Sequence, residues 1–439
     1  MEATGRFIGA LHGVKRTTKG TESPTVVAII VDGKKPQIVK LGDEAAEHAF
    51  LLGTYVPSRA KEGTEPIGLQ LGDVFATCIE GLSGQLATAA ARIGETRGFR
   101  VVRIPSYWFK QERDALGASQ DDDPITLGRL AKEKPERFWP VRERDSRMAE
   151  LVALVRSRKD VMNDRRSAML RVIARVRRNR YRTMDLTQIG PIEEAIEAAK
   201  ASDRTVKVLE EEEKGVIKEI ELLHKELPHW AEIFKPVAGI GPVGAAEIMA
   251  SVQDIRRFET SAKLCAYWGV HLRSGTIRVN ADGTRDVLVP GFPKFSAKVP
   301  REVQLPEGAH YRFFPKRRTS GLGANWDEWV GKQALFKFAS FHWKQWHMGQ
   351  KDLKVKAGWS SWTKKLDDMY QRQLSSDRWK PLLDAADAKG DAKERKYLEV
   401  RVRKLVFWRF CRSFVRYVFA RWWAIERVSR GQEVEAAAA

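Results

Sequence analysis

Three stretches near the start decide how the chain begins to fold: RFIGALHGVKR at 6–16, SPTVVAIIVDGKK at 23–35 and PQIVKLG at 36–42. In each, β-branched and other apolar residues cluster or alternate between breaks rich in Gly, Pro and Lys, the pattern of three consecutive strands. Further along, DEAAEHAFLLGTYV reads as a helix, VFATCIE as a strand, GQLATAAARIGETRG as a helix and FRVVRIP as a strand. The opening meander therefore gives way to alternating β and α elements.

Three strands followed by alternation suit an RNase H-like layer of sheet and helices, the α/β part of the chain. From about residue 145 the pattern changes to long helices, with apolar positions at Leu151, Val155, Met162, Met169, Ile173 and Val176. A second run, from Leu209 through Val216, Ile220, Leu223, Leu227 and Trp230 to Phe234, keeps heptad-like steps, the seam of a two-helix coiled coil. The Gly-Pro break in QIGPIEEA between the runs predicts an antiparallel hairpin. Beyond it, Gly239, Gly241 and Gly244 bracket a turn before an Ala-rich helix, whose N-terminal amides could face phosphate. Residues 271–330 read as a long loop or insertion with short strand-like pieces. The stretch 331–430 is mostly helical, and EVEAAAA closes the chain as a tail.

Charge narrows the partners. The chain has 439 residues, enough for two or three domains, and carries 77 Lys and Arg against 57 Asp and Glu, a formal charge of +20. Such a balance favours a polyanion, nucleic acid first. Eleven basic residues against two acidic ones lie between 151 and 182, including Arg165 and Arg166 and the run RVRRNRYR with Arg177, Arg178, Arg180 and Arg182. Further basic groups are Arg273, then Lys316, Arg317 and Arg318 in FFPKRRTSG, and a helical stripe of Arg409, Arg412 and Arg416 among aromatics. Planar guanidinium groups beside aromatic faces suit RNA, whose bases can stack and whose phosphates need neutralising. Cys78, Cys265 and Cys411 are too scattered for a disulfide framework or zinc-ligand spacing, so a reducing, cytoplasmic setting is expected. The apolar stretch LVFWRFCRSFVRYVFARWWAI is broken by arginines, so no membrane partner is expected.

Carboxylates raise the question of chemistry. Two-metal phosphodiester cleavage needs three or four of them converging on cations roughly 4 Å apart. Glu80 ends a strand, and Asp121, Asp122 and Asp123 precede the helix PITLGRLAKE, with Pro124 at its first position. Asp123 is placed either as a ligand or as a helix cap flanked by solvated neighbours. Ser274 and Gly275 in HLRSGTIRV read locally as a turn.

FIGALHG, CIEGLSG, the span from FRVVRIP to ERFWPV, the basic helix LVRSRKDVMNDRRSAMLRVIARV, VAGIGPVGAAEIMASVQDIRRFETSAKLCAYWGV and RSG occur in one order. That order resembles the bridge-RNA-guided insertion-sequence transposases with a DEDD-type RuvC-like domain, and equally their relatives, the Nop-domain Tas proteins that carry tandem interspaced guide RNAs. The resemblance implies a RuvC-like domain at 1–144, an antiparallel coiled-coil arm at 145–234 and a helical Nop-like domain at 235–430 with an insertion at about 271–330, followed by a tail at 431–439. It places the family's four metal-binding positions at Leu11, Glu80, Asp123 and Thr126, of which only Glu80 and Asp123 keep a carboxylate. His12 or Asp32 would have to make up the loss. Mg2+ is therefore expected only if that site is active, and no other cofactor is. The resemblance makes Ser274 the nucleophile of an alternative reading, an RNA-guided serine transposase or recombinase, with Arg273 and Arg278 to stabilise charge.

The reading that follows is a guide-RNA-binding protein for RNA-guided DNA recognition without metal-dependent cleavage. Its implied partners are guide RNA, target DNA and further copies of the chain, in a prokaryotic or phage setting. Whether it is an enzyme stays open. If it is one, the class is a DNA recombinase or transposase, or a nuclease.

Overall fold

The computed structural model describes residues 5–11, 24–58, 61, 63–79, 84–183, 192–271, 273–288, 296–300, 304–313 and 326–438. The chain forms two compact units, one of residues 1–150 with 253–259, the other of residues 151–252 with 260–439. The first is a mixed α/β unit and the second is mostly helical, an arrangement compatible with an RNase H-like fold plus a helical domain.

In the first unit β1 (Phe7–Leu11), β2 (Thr25–Ile30) and β3 (Gln37–Leu41) form the expected meander. Then come α1 (Glu44–Leu51), β4 (Val74–Ile79), α2 (Gly84–Arg97), β5 (Arg100–Pro105), α3 (Ser106–Ala115), α4 (Asp123–Glu133) and a two-residue β6 (Trp139–Pro140). The sheet order is β3-β2-β1-β4-β5-β6, with β1, β4 and β5 mutually parallel and the other pairings antiparallel. Period-2 alternation sends Ile8, Ala10 and Phe75 to one face, into a core shared with Phe50, Leu51 and Leu86. It sends Phe7, Leu11, Val74, Ala76 and Cys78 to the other face, where Leu127, Leu130 and Phe109 cover them.

Gly9 lets α4 lie against β1. A Cβ on Gly9 would stand 1.9 Å from the Pro124 carbonyl oxygen and 2.6 Å from the Gly128 amide nitrogen, both backbone. Residues 253–259 complete this unit. Asp254 and Arg256 join Arg103 and Asp145 in a buried cluster of two cations and two anions.

In the second unit α5 (Glu143–Thr183, from residue 151 onward) is followed by α6 (Ile192–Ser202) and α7 (Arg204–Lys225). Cross-helix pairs step in opposite directions: Arg158 with Glu213, Arg165 with Glu210 and Glu213, Arg175 with Asp203. α5 and α7 are thus antiparallel, with Ala168, Val172 and Val206 buried between them. The apolar run from Leu209 to Phe234 does not lie on one helix. α7 ends at Lys225, because Pro228 disfavours helical backbone at the residue before it, and Trp230–Phe234 make a separate π-helical turn.

Next come α8 (Pro242–Val252), buried almost all round, and α9 (Ser261–Tyr267). The stretch expected as a loop or insertion contains a four-stranded antiparallel sheet, built from β7 (Arg273–Val279), β8 (Arg285–Leu288), β9 (Ser296–Lys298) and β10 (His310–Phe313) in the order β10-β7-β8-β9. The helices α10 (Trp326–Gly349), α11 (Leu353–Ala357), α12 (Ser361–Leu374), α13 (Lys380–Ala388) and α14 (Ala392–Ala438) follow. Phe338, Trp362, Phe410 and Phe414 pack ring against ring at their centre, and α14 carries helix on to Ala438. Among the described residues no helix is long and apolar enough to cross a membrane.

Candidate nucleic-acid interface

The parallel strands β1 and β4 bring Leu11 and Cys78 to one end of the sheet, and the start of α4 lies over the same face. Leu11 is half-buried in the apolar cluster with Leu127. Glu80 and His12 lie outside the described residues. Asp123 is not the helix cap: α4 begins at Asp123 itself, and Asp122 instead accepts hydrogen bonds from the Ser119 amide and hydroxyl in the short turn before it. The Asp123 side chain is buried, and Arg113 Nη1 donates to both its oxygens at 3.3 and 3.1 Å. Burial raises the Asp123 carboxyl above the usual range, Arg113 opposes this, and Asp122 and Asp121 add to the rise. Thr126 is buried, and Asp32 is held by Lys132.

Among the described residues no three His, Cys, Asp or Glu side chains converge as metal ligands. A guanidinium holds the Asp123 carboxylate, and the other described positions of the set are a leucine and a threonine. The described residues by themselves do not fit a divalent cation, which needs several oxygens and their negative charge.

Ser274 stands in strand β7, not in a turn. It is exposed, whereas Gly275 and Ile277 are buried on the opposite face. The register sets Arg312 opposite Ser274 and Tyr311 opposite Gly275, so Tyr311 shares the buried face. Among the described residues nothing hydrogen-bonds the Ser274 hydroxyl, and Arg278 is engaged with Asp286. A serine nucleophile needs a base or a cation at hand, and the described residues show neither hydrogen-bonded to Ser274, so the serine-transposase reading finds no support here.

Basic residues of the arm divide into two groups. Arg165 is paired with Glu210 and Glu213. Arg166, Arg177, Arg178 and Arg182 are exposed on α5 and carry no ion pair among the described residues. The Arg180 side chain, the Arg273 side chain, and Lys316, Arg317 and Arg318 lie outside what is described.

Gly239 has φ +83°, and a Cβ there would meet the Phe341 ring at 2.3 Å, so this glycine serves a close approach of loop to helix. Gly241 is exposed before α8.

The α14 stripe forms a further group. Arg409 is exposed, yet loss of hydration together with Arg378 and Arg412 holds its guanidinium below the ordinary value. Arg412 is half-buried and its Nε has no hydrogen-bond partner. It lies against the buried Cys265 thiol, which burial pushes up while Arg412 and Arg416 pull it down. Arg378, which the sequence reading missed, stacks over Trp379 at 4.8 Å and faces Tyr311 at 5.8 Å. Among the described residues none of the four guanidiniums has a carboxylate partner. Like charges gathered without counter-charge favour a bound anion. Arg378 could have been suspected only from its position in a Trp-rich stretch, since nothing in spacing ties residue 378 to residue 409.

A family model described as Transposase IS116/IS110/IS902 family matches residues 231–276, which runs from the π-helical turn through α8 and α9 into β7. No curated protein matches the chain. The match supports a relation to IS110-type transposases.

Proposed function

We propose that this chain is a non-cleaving nucleic-acid-binding protein of the transposase and Tas group, which holds a guide RNA and presents it to target DNA. Its first unit acts as a RuvC-like platform without a working metal site, α5 to α7 as the coiled-coil arm, and the helical remainder as the Nop-like domain. Base pairing then supplies sequence specificity while the protein supplies backbone contacts. It works in the cytoplasm as a homodimer or higher homo-oligomer.

The observation that carries this reading is the cluster of Arg378, Arg409, Arg412 and Arg416, four cations with no carboxylate partner among the described residues. The transposase match and the formal charge of +20 agree with it.

The test is purification followed by sequencing of bound nucleic acid, then titration of RNA against salt. Binding to a single strand falls with a slope of about −0.7 per phosphate neutralised on logarithmic axes. Replacing Arg177 and Arg178 by Ala lowers the affinity and leaves the melting temperature unchanged, since both side chains are exposed. A preparation free of nucleic acid that also ignores added RNA would refute the proposal.

A further inference from the structure

Helices α10 and α14 present facing stripes, each recurring at the spacing of one helix face. Phe336 and Trp343 from α10 and Phe407 and Trp408 from α14 line a groove of about 510 Å³. Its other lining groups are the cations Lys344, Arg403 and Lys404 and the hydroxyl of Ser340.

The aromatic rings are not simply the edge of the core. Phe336 is 55% exposed, and its ring centroid lies 5.4 Å from that of Phe407 in a tilted pair. The cations are not neutralised either. Among the described residues no carboxylate lines the groove, and neither Lys344 nor Lys404 has an ion pair. Arg403 lies 5.5 Å over the Trp343 ring, and its Nε is buried without a hydrogen-bond partner. A volume of this size falls within the range of pockets that enclose small planar ligands, about 300–1,000 Å³.

The exposed Phe336 ring calls for a flat, polarisable partner, and three cations without an ion pair among the described residues call for an anionic one. A nucleotide strand is both, since base–aromatic stacking and phosphate neutralisation are how single strands are held. An acidic peptide would meet the charges but leave the rings in water. A second copy of this chain, rich in Lys and Arg, would offer the three cations no phosphate.

We propose that the α10–α14 groove takes an unpaired base of a single-stranded RNA, stacked on the exposed Phe336 ring, with the flanking phosphates held by Lys344, Arg403 and Lys404. This rests on the RNA-binding function proposed above and locates where that binding distinguishes unpaired from paired RNA.

Fluorescence anisotropy on the full chain tests it, with a fluorescein-labelled oligouridine and a labelled RNA duplex as probes. Phe336→Ala lowers affinity for the single strand by about tenfold, the scale of one lost stack, leaves the duplex affinity unchanged, and is rescued by Phe336→Tyr. Lys344→Glu also weakens the single strand, and lowers the steepness of its salt dependence. Phe336 is more than half exposed, so the unfolding temperature stays that of the parent. If the parent chain binds neither probe, the RNA-binding function itself fails. If the parent binds and Phe336→Ala leaves oligouridine affinity intact, or weakens strand and duplex equally, the groove assignment alone is overturned. A change in sedimenting mass with Phe336→Ala would instead make this face a contact between copies.

Discussion

Asp254→Asn should destabilise the first unit severely, because it unbalances a buried quartet while hardly changing its shape. Arg256 is 1% exposed and spans the Asp254 carboxylate as a fork, with Nε donating to Oδ1 at 2.8 Å and Nη2 to Oδ2 at 2.6 Å. Its Nη2 also reaches Asp145 at 3.3 Å. Arg103 Nη2 stands 3.1 Å from Asp145 and 3.4 Å from Asp254, and Trp139 lies 5.4 Å from the Arg256 guanidinium. Removing one negative charge leaves two buried cations facing a single carboxylate. Breaking a buried pair in this way costs about 3–5 kcal/mol. For a unit of this size each kcal/mol lowers the melting temperature by about 2–4 °C, so a fall of about 6–20 °C is expected. Circular dichroism during heating measures it.

The double variant Asp254→Leu with Arg256→Met should cost less than the single one, since it removes both charges of the fork and leaves Arg103 paired with Asp145. Acid should act in the same direction as Asp254→Asn. Burial pushes Asp254 up, but Arg256 and Arg103 outweigh it, and the carboxyl sits below the usual range in the folded state. A lowered folded pKa gives stability that is complete above the unfolded carboxylate value of about 3.9 and lost as pH falls below it. A single variant that costs less than about 1 kcal/mol, or a double variant that costs more than the single one, would show that these charges do not hold residues 253–259 in place.

Two further outcomes follow from buried titratable groups. Adding magnesium or manganese to the protein with RNA and matched DNA should give no cleavage product, and Asp123→Ala should lower the melting temperature by stranding the part-buried Arg113; a product that Asp123→Ala abolishes would show a live metal site. His342 donates from Nε2 to the Ala238 carbonyl and accepts at Nδ1 from the Thr363 hydroxyl, and burial pushes it down to about 4 against its ordinary 6.5. The unfolded chain therefore binds the extra proton between those values, so stability is full above pH 6.5 and falls by up to about 1.4 kcal/mol per unit towards pH 4. Denaturant titrations of His342→Gln should lack that component of the slope, and an identical slope in both proteins would remove His342 as its source.

Much of the architecture was legible in residue order. Period-2 runs bounded by Gly and Pro, followed by alternating helices and strands, gave the meander and the mixed sheet, because both signals act over a few residues of chain. That positions 11 and 126 hold a leucine and a threonine is a matter of residue identity and needed no coordinates. The long basic helix was equally plain. Tertiary structure decided what these groups touch. It paired Asp123 with Arg113 and Arg165 with Glu210 and Glu213, turned Ser274 onto the face away from Tyr311, and gathered Arg378 with Arg409 and Arg412. It also returned residues 253–259 to the first unit, where Arg103, Asp145 and Asp254 meet although long stretches of chain separate them. Local periodicity reports which face of an element is apolar. It carries no record of which distant element supplies the counter-charge, because that depends on how packed layers bring far-apart segments together.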